Sequence, residues 1–383
     1  MFKVVHKDGD ARLGIFETPT GRIETPSYVV VATNGYIRAI ELDDIPKTQT
    51  QIVIANTYHL WRSLGDVGLN DFPGLHDFME FGGLIMTDSG GFQVFSMGVA
   101  RETGVGKVFS ENPISPKDSS QVKITDSGVY FYEDGEEHYL DAEISIKIQE
   151  QLGADIIFAF DEPSSPLHDR AYTETAMKRT HAWALRSLEA KTSNQKIYGI
   201  IQGGHFRDLR KQSAEYIGSL PFDGFAIGGS FGNSFGGEKD NTLDEISWAN
   251  PYLPENKPRH LLGIGRIEDI FEAIELGIDT MDCVIPTREA RHGGIWSRYG
   301  RIDILKGIYQ KDDSFLTENC ECYICNEKGI TKSALHSLFK EKKLEAGRLA
   351  TIHNIYFFND LLRQIREAIK QNRFKIFKKW YLN

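Results

Sequence analysis

Cysteines and long apolar runs are scarce in this chain of 383 residues. It has only four cysteines, three of them between Cys320 and Cys325, which excludes a secreted disulfide scaffold. No apolar run approaches the roughly 20 residues that a membrane-spanning helix needs, so we expect no membrane contact. The N-terminal stretch is polar and shows no signal peptide. These absences favour a cytoplasmic protein.

Positive charge is scarce overall but concentrated at one end of the chain. The net charge of −10 argues against a protein that coats nucleic acid without specificity. Residues 331–383 nevertheless carry twelve Lys and Arg against four Asp and Glu. A cationic tail on an acidic body suggests a localised contact with a polyanion. A solvated amphipathic helix is the alternative.

Eight short apolar runs, each followed by polar or glycine residues, alternate with helix-like segments. The runs are Tyr28–Ala32, Ile52–Ala55, Leu84–Met86, Ile156–Phe160, Ile197–Ile201, Gly224–Ile227, His260–Ile264 and Thr280–Ile285. Nearly continuous apolar strands between helices indicate a parallel sheet covered on both faces. Eight such units predict an α/β protein with a (β/α)8 TIM barrel, whose chemistry lies at the carboxyl ends of the strands. A doubly wound open sheet is the alternative.

The spacing of the other segments predicts helices and two interruptions of the barrel. The helices expected between strands are Ile37–Asp44, Gly74–Phe81, Ala142–Leu152, Ala171–Ala190, His205–Leu220 and Ile267–Leu276. Alternating pieces within residues 97–140 predict an inserted β-hairpin. After the eighth strand, the cysteine cluster delays the last predicted helix to Ile352–Gln371. We therefore expect a catalytic barrel at 1–310, a zinc-binding subdomain at 311–355, and a final helix and basic tail at 352–383.

The cysteine cluster has the composition of a structural metal site. Cys320, Cys322 and Cys325 supply three thiolates, and His353 supplies an imidazole further along the chain. Three Cys and one His form a closed zinc set with no position for water, so we predict one structural Zn²⁺ per chain. His336 competes with His353 as the fourth ligand. Unpaired buried thiols or a redox pair are the alternatives.

The stretch Asp279–Gly294 combines an acid with two arginines. Asp282 lies in the last apolar run, and Arg288 and Arg291 follow it. A carboxylate inside a buried strand costs several kcal/mol unless it is paired or used. Arginine binds phosphate through its planar fork of N–H donors. The stretch therefore predicts a reactive carboxylate at a strand end, beside a cationic loop that holds a phosphate-bearing substrate.

Several phrases, in order from about residue 11 to residue 370, resemble the tRNA-guanine transglycosylase family. They include NTYHL (Asn56–Leu60), TDSGGFQVFS (Thr87–Ser96), IIQGG (Ile200–Gly204) and GIDTMDCVIPTREARHG (Gly277–Gly293). The resemblance implies a (β/α)8 barrel with a zinc subdomain. It also implies an enzyme that exchanges guanine at wobble position 34 of tRNAs with GUN anticodons for a 7-deazaguanine, in queuosine modification.

The resemblance implies two catalytic carboxylates. Asp282 would be the nucleophile that forms a covalent ribosyl-enzyme intermediate, and Asp88 the general acid/base. Paired carboxylates are a common solution for breaking and remaking a bond at an anomeric carbon. For Asp88, the alternative is a helix cap. Cys283, beside the nucleophile, is expected to pack rather than react.

The resemblance also implies two sets of binding residues. Base binding is implied for Asp88, Ser89, Gly90, Gly91, Phe92, Asp161, Gln202 and Gly229. RNA binding is implied for Gly263, Ile264, Gly265, Arg266, Ile267, Glu268 and Asp269, and for Thr287, Arg288, Glu289, Ala290 and Arg291. A homodimer, formed through the zinc subdomain and the C-terminal helix, is implied as well.

The sequence departs from the common bacterial pattern in two places. Pro163 stands where many members have cysteine, and the loop after Gly229 is longer. Gly232 matches a position where members that accept queuine carry glycine and members that use preQ1 carry valine. We therefore favour queuine over preQ1 as the incoming base.

Two other functions compete with this interpretation. A non-catalytic tRNA-binding partner subunit of such an enzyme would be expected to lack the nucleophile and the base-binding groups. Here Asp88, Asp161, Gln202 and Asp282 are all present. The other alternative is a transglycosylase that acts on another nucleic acid.

Overall fold

Sixteen strands are described in a computed structural model that covers residues 1–95, 122–133, 135–165, 168–228 and 242–383. They are β1 (Phe2–Asp8), β2 (Ala11–Glu17), β3 (Arg22–Thr25), β4 (Ser27–Val31), β5 (Ile52–Ala55), β6 (Leu84–Thr87), β7 (Lys123–Ile124), β8 (Val129–Glu133), β9 (Glu136–Leu140), β10 (Ile156–Phe158), β11 (Lys196–Ile201), β12 (Gly224–Ile227), β13 (Arg259–Leu261), β14 (Thr280–Asp282), β15 (Gly294–Ser297) and β16 (Gly300–Asp303).

Eight of these strands form a closed barrel in the order β4, β5, β6, β10, β11, β12, β13 and β14. They are the eight apolar runs of the sequence, with ends that differ by a few residues. Their side chains are buried almost throughout because both faces of a barrel strand are covered. The predicted (β/α)8 barrel is confirmed, and the open sheet is wrong. The last strand ends at Asp282 rather than Ile285, since a short helix begins at once.

Eleven α-helices are described. They are α1 (Thr57–Asn70), α2 (Leu75–Met79), α3 (Ala142–Leu152), α4 (Arg170–Ala190), α5 (Arg207–Ser219), α6 (Thr242–Ala249), α7 (Ile267–Glu275), α8 (Ile285–Arg291), α9 (Lys332–Lys340), α10 (Leu344–Lys370) and α11 (Phe374–Leu382). Short 3₁₀ segments occur at Leu42–Thr48, Asn250–Tyr252 and Gly307–Tyr309, and a π turn at Tyr323–Glu327. No helix in the described ranges is both long and apolar enough to cross a bilayer.

Two predictions about helices were wrong, and several of the described helices were not predicted. The helix expected at Ile37–Asp44 is a 3₁₀ segment at Leu42–Thr48, which contains Pro46. Helix α1 was not expected; it begins where the Asn56 side chain accepts a hydrogen bond from the His59 N–H at 2.9 Å. The last long helix begins at Leu344, so His353 lies in its interior rather than at its start.

Contacts divide the chain into two compact units. The first comprises Met1–Ile54, Met79–Leu84 and Gly263–Asn383. Its long helix α10 is buried along most of its length, and Phe358 packs against Tyr28 of β4 with ring centroids 5.2 Å apart. An antiparallel sheet of β1, β2 and β3 and the hairpin of β15 and β16 complete its strands.

The second unit comprises Ala55–Phe78 and Ile85–Leu262. Its antiparallel sheet of β7, β8 and β9 lies in the stretch where the sequence predicts a hairpin insertion. Phe131 of β8 packs against Tyr58 and Trp61 of α1. Residues 97–121 and residue 134 of the predicted insertion lie outside the described residues. The domain boundaries expected from the sequence stay a prediction.

Candidate active site

Asp88 follows β6, and four hydrogen bonds orient its carboxylate. The backbone N–H groups of Thr57 and Gly90 donate to Oδ1 at 3.0 and 3.1 Å. The side-chain amides of Asn56 and Gln93 donate to Oδ2 at 2.5 and 3.3 Å. Thr57 is the first residue of α1, so the Asp88 carboxylate accepts a hydrogen bond from the N-terminus of that helix. The helix-cap alternative therefore holds in part. The result is a half-buried carboxylate in one fixed orientation.

Asp161 follows β10, and its side chain is buried. Ser89 Oγ donates to its Oδ1 at 3.1 Å, and Gln202 Nε2 donates to its Oδ2 at 2.7 Å. Burial raises the pKa of Asp161 to about 6, against the hydrogen bonds from Gln202 and Ser89, which lower it. Asp161 therefore changes charge near neutral pH and offers acceptor oxygens to a ligand that carries N–H groups.

Gln202 presents a second buried acceptor beside Asp161. Its side chain is 2% exposed, and its Oε1 has no hydrogen-bond partner among the residues that the structure describes. A buried amide oxygen without a partner costs about 1–3 kcal/mol, so its persistence favours a ligand that donates to it. Together, Asp161 and Gln202 have the hydrogen-bonding character needed to hold the N–H edge of a heterocycle.

Two glycines leave room for these side chains. A Cβ at Gly91 would lie 2.9 Å from the carbonyl oxygen of Asp161, and a Cβ at Gly228 would lie 2.8 Å from Gln202 Nε2. Either methyl group would displace a base-binding candidate. Phe92 is 43% exposed, so its ring has a free face for stacking. Gly229, the remaining base-binding candidate, lies outside the described residues.

Asp282 ends β14, and its carboxylate is half-buried. The backbone N–H of Gly263 donates to its Oδ1 at 3.1 Å. Cys283 is buried, and this burial raises its thiol pKa to about 12. A neutral thiol at working pH fits packing rather than nucleophilic chemistry. The partly accessible carboxylate of Asp282 is therefore the nucleophile candidate in this stretch.

The fully buried acid of the stretch is Asp279, and it is paired. Arg12, which is 2% exposed, donates from Nε to Asp279 Oδ1 at 3.1 Å and from Nη2 to Oδ2. The ion pair offsets the desolvation of both groups. Two acids three residues apart thus have different roles, since Asp279 is locked in the core and Asp282 lies at the strand end.

The cysteine cluster brings four ligand atoms together. The Sγ atoms of Cys320, Cys322 and Cys325 lie 3.7, 3.4 and 3.9 Å from His353 Nδ1. All four atoms fall within 4.8 Å of one another, which fits a tetrahedral ion with ligand bonds of about 2.0–2.3 Å. His353 Nε2 bonds the carbonyl oxygen of Trp296 at 2.9 Å, which leaves Nδ1 for a metal. His336 does not belong to this group of four residues; its Nδ1 bonds the carbonyl oxygen of Ile304 at 2.7 Å.

Comparison with known proteins agrees with this arrangement. The model of the family described as queuine tRNA-ribosyltransferase matches residues 7–383. The queuine tRNA-ribosyltransferase of Halothermothrix orenii is 39% identical over 386 residues, which cover 100% of this chain and 96% of that protein. That of Caldanaerobacter subterraneus subsp. tengcongensis is 40% identical over 387 residues, with 100% and 96% covered. That of Aquifex aeolicus is 38% identical over 385 residues, with 100% and 97% covered. The chain belongs to the queuine tRNA-ribosyltransferase family.

The resemblance drawn from the sequence phrases is thus confirmed, and the chain belongs to a family of enzymes. The four residues predicted as metal ligands, Cys320, Cys322, Cys325 and His353, converge on one point. The roles assigned to the other site residues stay predictions.

The arginines expected on a loop lie instead on helix α8. Pro286 stands in the first turn of this helix, and Arg288 and Arg291 stand in its last turn. Burial and the positive charges of Arg38 and Arg288 lower the pKa of Arg291. Within the described ranges, neither Arg38 nor Arg288 has an ion-pair partner. The neighbouring positive charges of Arg38, Arg288 and Arg291 therefore favour a phosphate-binding surface.

The other residues of the implied RNA path differ in exposure. The side chains of Ile264, Ile267, Thr287 and Ala290 are buried, as is Gly265. Gly263 and Glu268 are exposed. Arg266, Asp269 and Glu289 are partly exposed, and Glu289 pairs with Arg301 at 3.0 Å. The buried members can only position the backbone that faces solvent.

Sequence reasoning missed several polar residues that support the site. They are Gln93 beside Asp88, Arg12 on Asp279, Arg210 on the strand-end carbonyls, Arg38 beside Arg291, and Asn354 next to His353. Gln93 and Asn354 lie inside phrases that match the family, so their positions could have been found. Nothing local in the sequence marks Arg12, Arg38 or Arg210.

Proposed function

We propose that this protein is a tRNA-guanine transglycosylase that exchanges guanine at wobble position 34 of tRNAs with GUN anticodons for a 7-deazaguanine, in queuosine modification. The observation that carries the proposal is the buried Asp161–Gln202 pair. Asp161 accepts from Ser89 and Gln202, and the buried Gln202 Oε1 has no partner in the described structure. A flipped guanine presents N–H donors along one edge, which such a pair can bind.

The proposed mechanism uses two carboxylates in a double displacement. Asp282 attacks C1′ of the ribose, an ester bond forms, and the bond from C1′ to the guanine nitrogen breaks. Asp88 gives a proton to the departing guanine and takes one from the incoming base. That base attacks C1′, and the ester bond to Asp282 breaks. Support comes from the half-buried carboxylate of Asp282 at a strand end and from the four hydrogen bonds on Asp88.

The proposed RNA contact is the exposed face of α8 with the turn around Gly263. Arg288 and Arg291 would hold the anticodon loop, as the sequence predicted. The positive charges of Arg38 and Arg288 act on Arg291, and neither Arg38 nor Arg288 has a carboxylate partner in the described residues. This excess of positive charge supports a contact with phosphate.

Exchange of radiolabelled guanine into tRNA tests the main proposal. We expect label to enter a tRNA with guanine at position 34 and not the same transcript with adenine there. An Asp161→Ala variant should lose the exchange, because the base loses a buried acceptor. Label that entered both transcripts equally, or DNA instead of tRNA, would contradict the assigned substrate.

Queuine is the proposed incoming base, favoured over preQ1. The argument rests on Gly232, where glycine leaves space that valine would fill; this loop lies outside the described residues. A competition assay with both bases on tRNA carrying guanine-34 checks it. A clear preference for preQ1 would overturn this choice without affecting the transglycosylase assignment.

The metal is proposed to be one structural Zn²⁺ per chain. Three thiolates and one imidazole are the donor set that zinc prefers, and the four ligand atoms converge. The ion would hold the turn at Cys320–Cys325 against α10 and would take no part in the chemistry, since the protein fills all four positions. Metal analysis of the purified protein decides between zinc and other ions.

A homodimer in the cytoplasm is the proposed state. Large apolar side chains on both sides of the cysteine cluster in the sequence are exposed, with Leu344 at 97%, Ile308 at 73% and Phe315 at 45%. Exposed apolar groups of this size favour a covered surface. Light scattering at micromolar concentration checks the prediction, and a monomer there would count against it.

A further inference from the structure

We infer that Arg210 is a positioning residue for base recognition, holding the ends of β11 and β12 so that Gln202 keeps its place beside the base. The inference rests on the proposed function, since it takes Gln202 as a base-binding group. Arg210 lies in α5 and is fully buried, and its guanidinium nitrogens donate to backbone carbonyl oxygens and to a carboxylate. It would act only through the backbone that carries Gln202.

The contacts of Arg210 are concentrated at the carboxyl ends of two neighbouring strands. Its Nη1 donates to the carbonyl oxygen of Ile201, the last residue of β11, at 3.1 Å. The same nitrogen donates to the carbonyl oxygen of Gly228, which follows β12. Its Nε donates to the carbonyl oxygen of Gly204 at 2.6 Å. One guanidinium thus fixes the backbone on both sides of Gln202 and the end of the adjacent strand.

A buried carboxylate completes this arrangement. Glu245 of α6, which is 2% exposed on its side chain, accepts from Arg210 Nη2 at 2.7 Å. Glu245 supplies a negative charge beside the buried guanidinium, and removing one partner of a buried ion pair is strongly unfavourable. Carbonyl groups are dipoles and bind the cation but do not neutralise it. Glu245 therefore allows a cation to serve as a multiple hydrogen-bond donor inside the protein.

The first glycine of the IIQGG phrase, Gly203, lies against the backbone of Arg210. A Cβ at Gly203 would lie 2.7 Å from the backbone nitrogen of Arg210, and Gly203 has φ of +127°. The turn after Gln202 therefore closes directly onto the start of α5. Ser213, one turn further along α5, accepts the Gln202 N–H on its Oγ at 3.1 Å. Helix α5 thus binds the backbone N–H of Gln202 through Ser213. Through Arg210 it also binds the carbonyl oxygens of Ile201 and Gly204, on either side of Gln202.

If Arg210 only formed a structural ion pair with Glu245, it would not need to bind the three carbonyl oxygens. A guanidinium is planar and distributes its donors around a fork, whereas lysine has a single ammonium group. Lysine at this position could pair with Glu245 but could not bind three separate carbonyl oxygens. Arg210→Lys therefore keeps the charge and removes the positioning contacts, which makes it the informative variant.

The test is steady-state exchange with radiolabelled guanine and guanine-34 tRNA, in the full chain. For Arg210→Lys we expect KM for guanine to rise about tenfold, the size of one lost charge-assisted hydrogen bond. KM for tRNA should rise less, because the phosphate contacts proposed for Arg288 and Arg291 also contribute to tRNA binding. Arg348→Lys is the control for the loss of a guanidinium–carboxylate contact as such, because Arg348 binds the buried carboxylate of Asp44 through two nitrogens at 2.6 and 3.0 Å while its own side chain is 42% exposed. It should leave both KM values unchanged.

Other outcomes decide against the inference. A KM for guanine within about twofold of the wild type, or an equal rise in both KM values, would overturn it. If Arg210→Lys does not fold, Glu245→Gln carries the test, with the same expected split and the same contrary results. A wild-type chain that exchanges no guanine would instead overturn the proposed function, and this inference with it.

Discussion

The side-chain amide of Asn354 donates a hydrogen bond of 3.0 Å to the carbonyl oxygen of Pro286 and one of 2.9 Å to that of Gly294. Its Oδ1 accepts the N–H of Trp296 at 3.0 Å. Asn354 is fully buried in α10, and it joins the two ends of the segment that carries Arg288 and Arg291. The preceding residue, His353, belongs to the metal cluster. One turn of α10 therefore supports both the cluster and the arginine helix α8.

Asn354→Ala should weaken tRNA binding more than base binding. The change removes three buried hydrogen bonds and leaves their backbone partners unsatisfied, at a cost of about 1–3 kcal/mol each before the protein relaxes. We expect a lower unfolding temperature and a KM for tRNA that rises several-fold, with KM for guanine little changed. Chemical denaturation and steady-state exchange measure these quantities.

Asn359→Ala is the matched control for this prediction. Asn359 is also buried in α10, but its amide bonds Thr48 at 2.8 Å, away from α8. It should lose comparable stability without the rise in KM for tRNA. If the two variants gave the same kinetic change, the specific link from Asn354 to α8 would be wrong.

Removal of the metal should destabilise the first unit and reduce activity through structure. Cys322 and Cys325 are buried in the same apolar cluster as Leu349 and Ile352 of α10. Cys322→Ser should therefore lower the bound zinc from about one per chain and reduce the unfolding temperature, because metal affinity contributes to folding stability. Cys283→Ser, which changes the buried cysteine outside the cluster, should keep the zinc. Equal zinc content in both variants would argue against the assigned ligands.

The raised pKa of Asp161 predicts a pH-dependent penalty on stability. Its pKa rises from the ordinary 3.8 of an exposed aspartate to about 6 in the folded chain, mainly because of burial. Between these values the folded state binds more protons than the unfolded state, so stability falls as pH rises. The penalty is absent below about pH 3.8 and complete above about pH 6, where it amounts to about 3 kcal/mol. Asp161→Asn lacks the titrating group.

Thermal unfolding of wild type and Asp161→Asn at several pH values, without base, measures this effect. The stability of the variant relative to wild type should increase between pH 4 and pH 7. A difference that stayed flat over this range, or that changed in the opposite direction, would show that Asp161 does not titrate there.

The barrel could be predicted from the sequence because its signal is local. Each of the eight strands is a short apolar run, and burial on both faces makes such runs nearly continuous. The group of possible metal ligands was predictable for the same reason, since Cys320, Cys322 and Cys325 lie within six residues of the chain. Matching phrases added roles for Asp88, Asp161, Gln202 and Asp282 that no strand pattern could suggest, and these roles stay predictions.

What the sequence could not reveal depends on distant contacts and backbone geometry. Arg12 and Asp279 are 267 residues apart, so no window shows that they pair. Helix α1 was missed because its apolar pattern is broken at Gly65, where φ is +66°. The predicted strand Thr280–Ile285 is three residues longer than the observed strand, because Val284 and Ile285 are β-branched and favour strands. Pro286 instead lies in the first turn of α8.

Two acids of the same segment allow a sharp test of the nucleophile. Asp282→Asn should abolish the covalent RNA adduct on denaturing gels and reduce exchange by at least about a thousandfold, because the amide cannot form the ester. The Gly263 N–H can still donate to the remaining side-chain oxygen, so the unfolding temperature should hardly change. Asp279→Asn should behave in the opposite way. It removes the carboxylate that pairs with the buried Arg12, which should cost about 3–5 kcal/mol, while the nucleophile remains. An adduct that survived Asp282→Asn in a folded protein would show that another residue attacks the ribose.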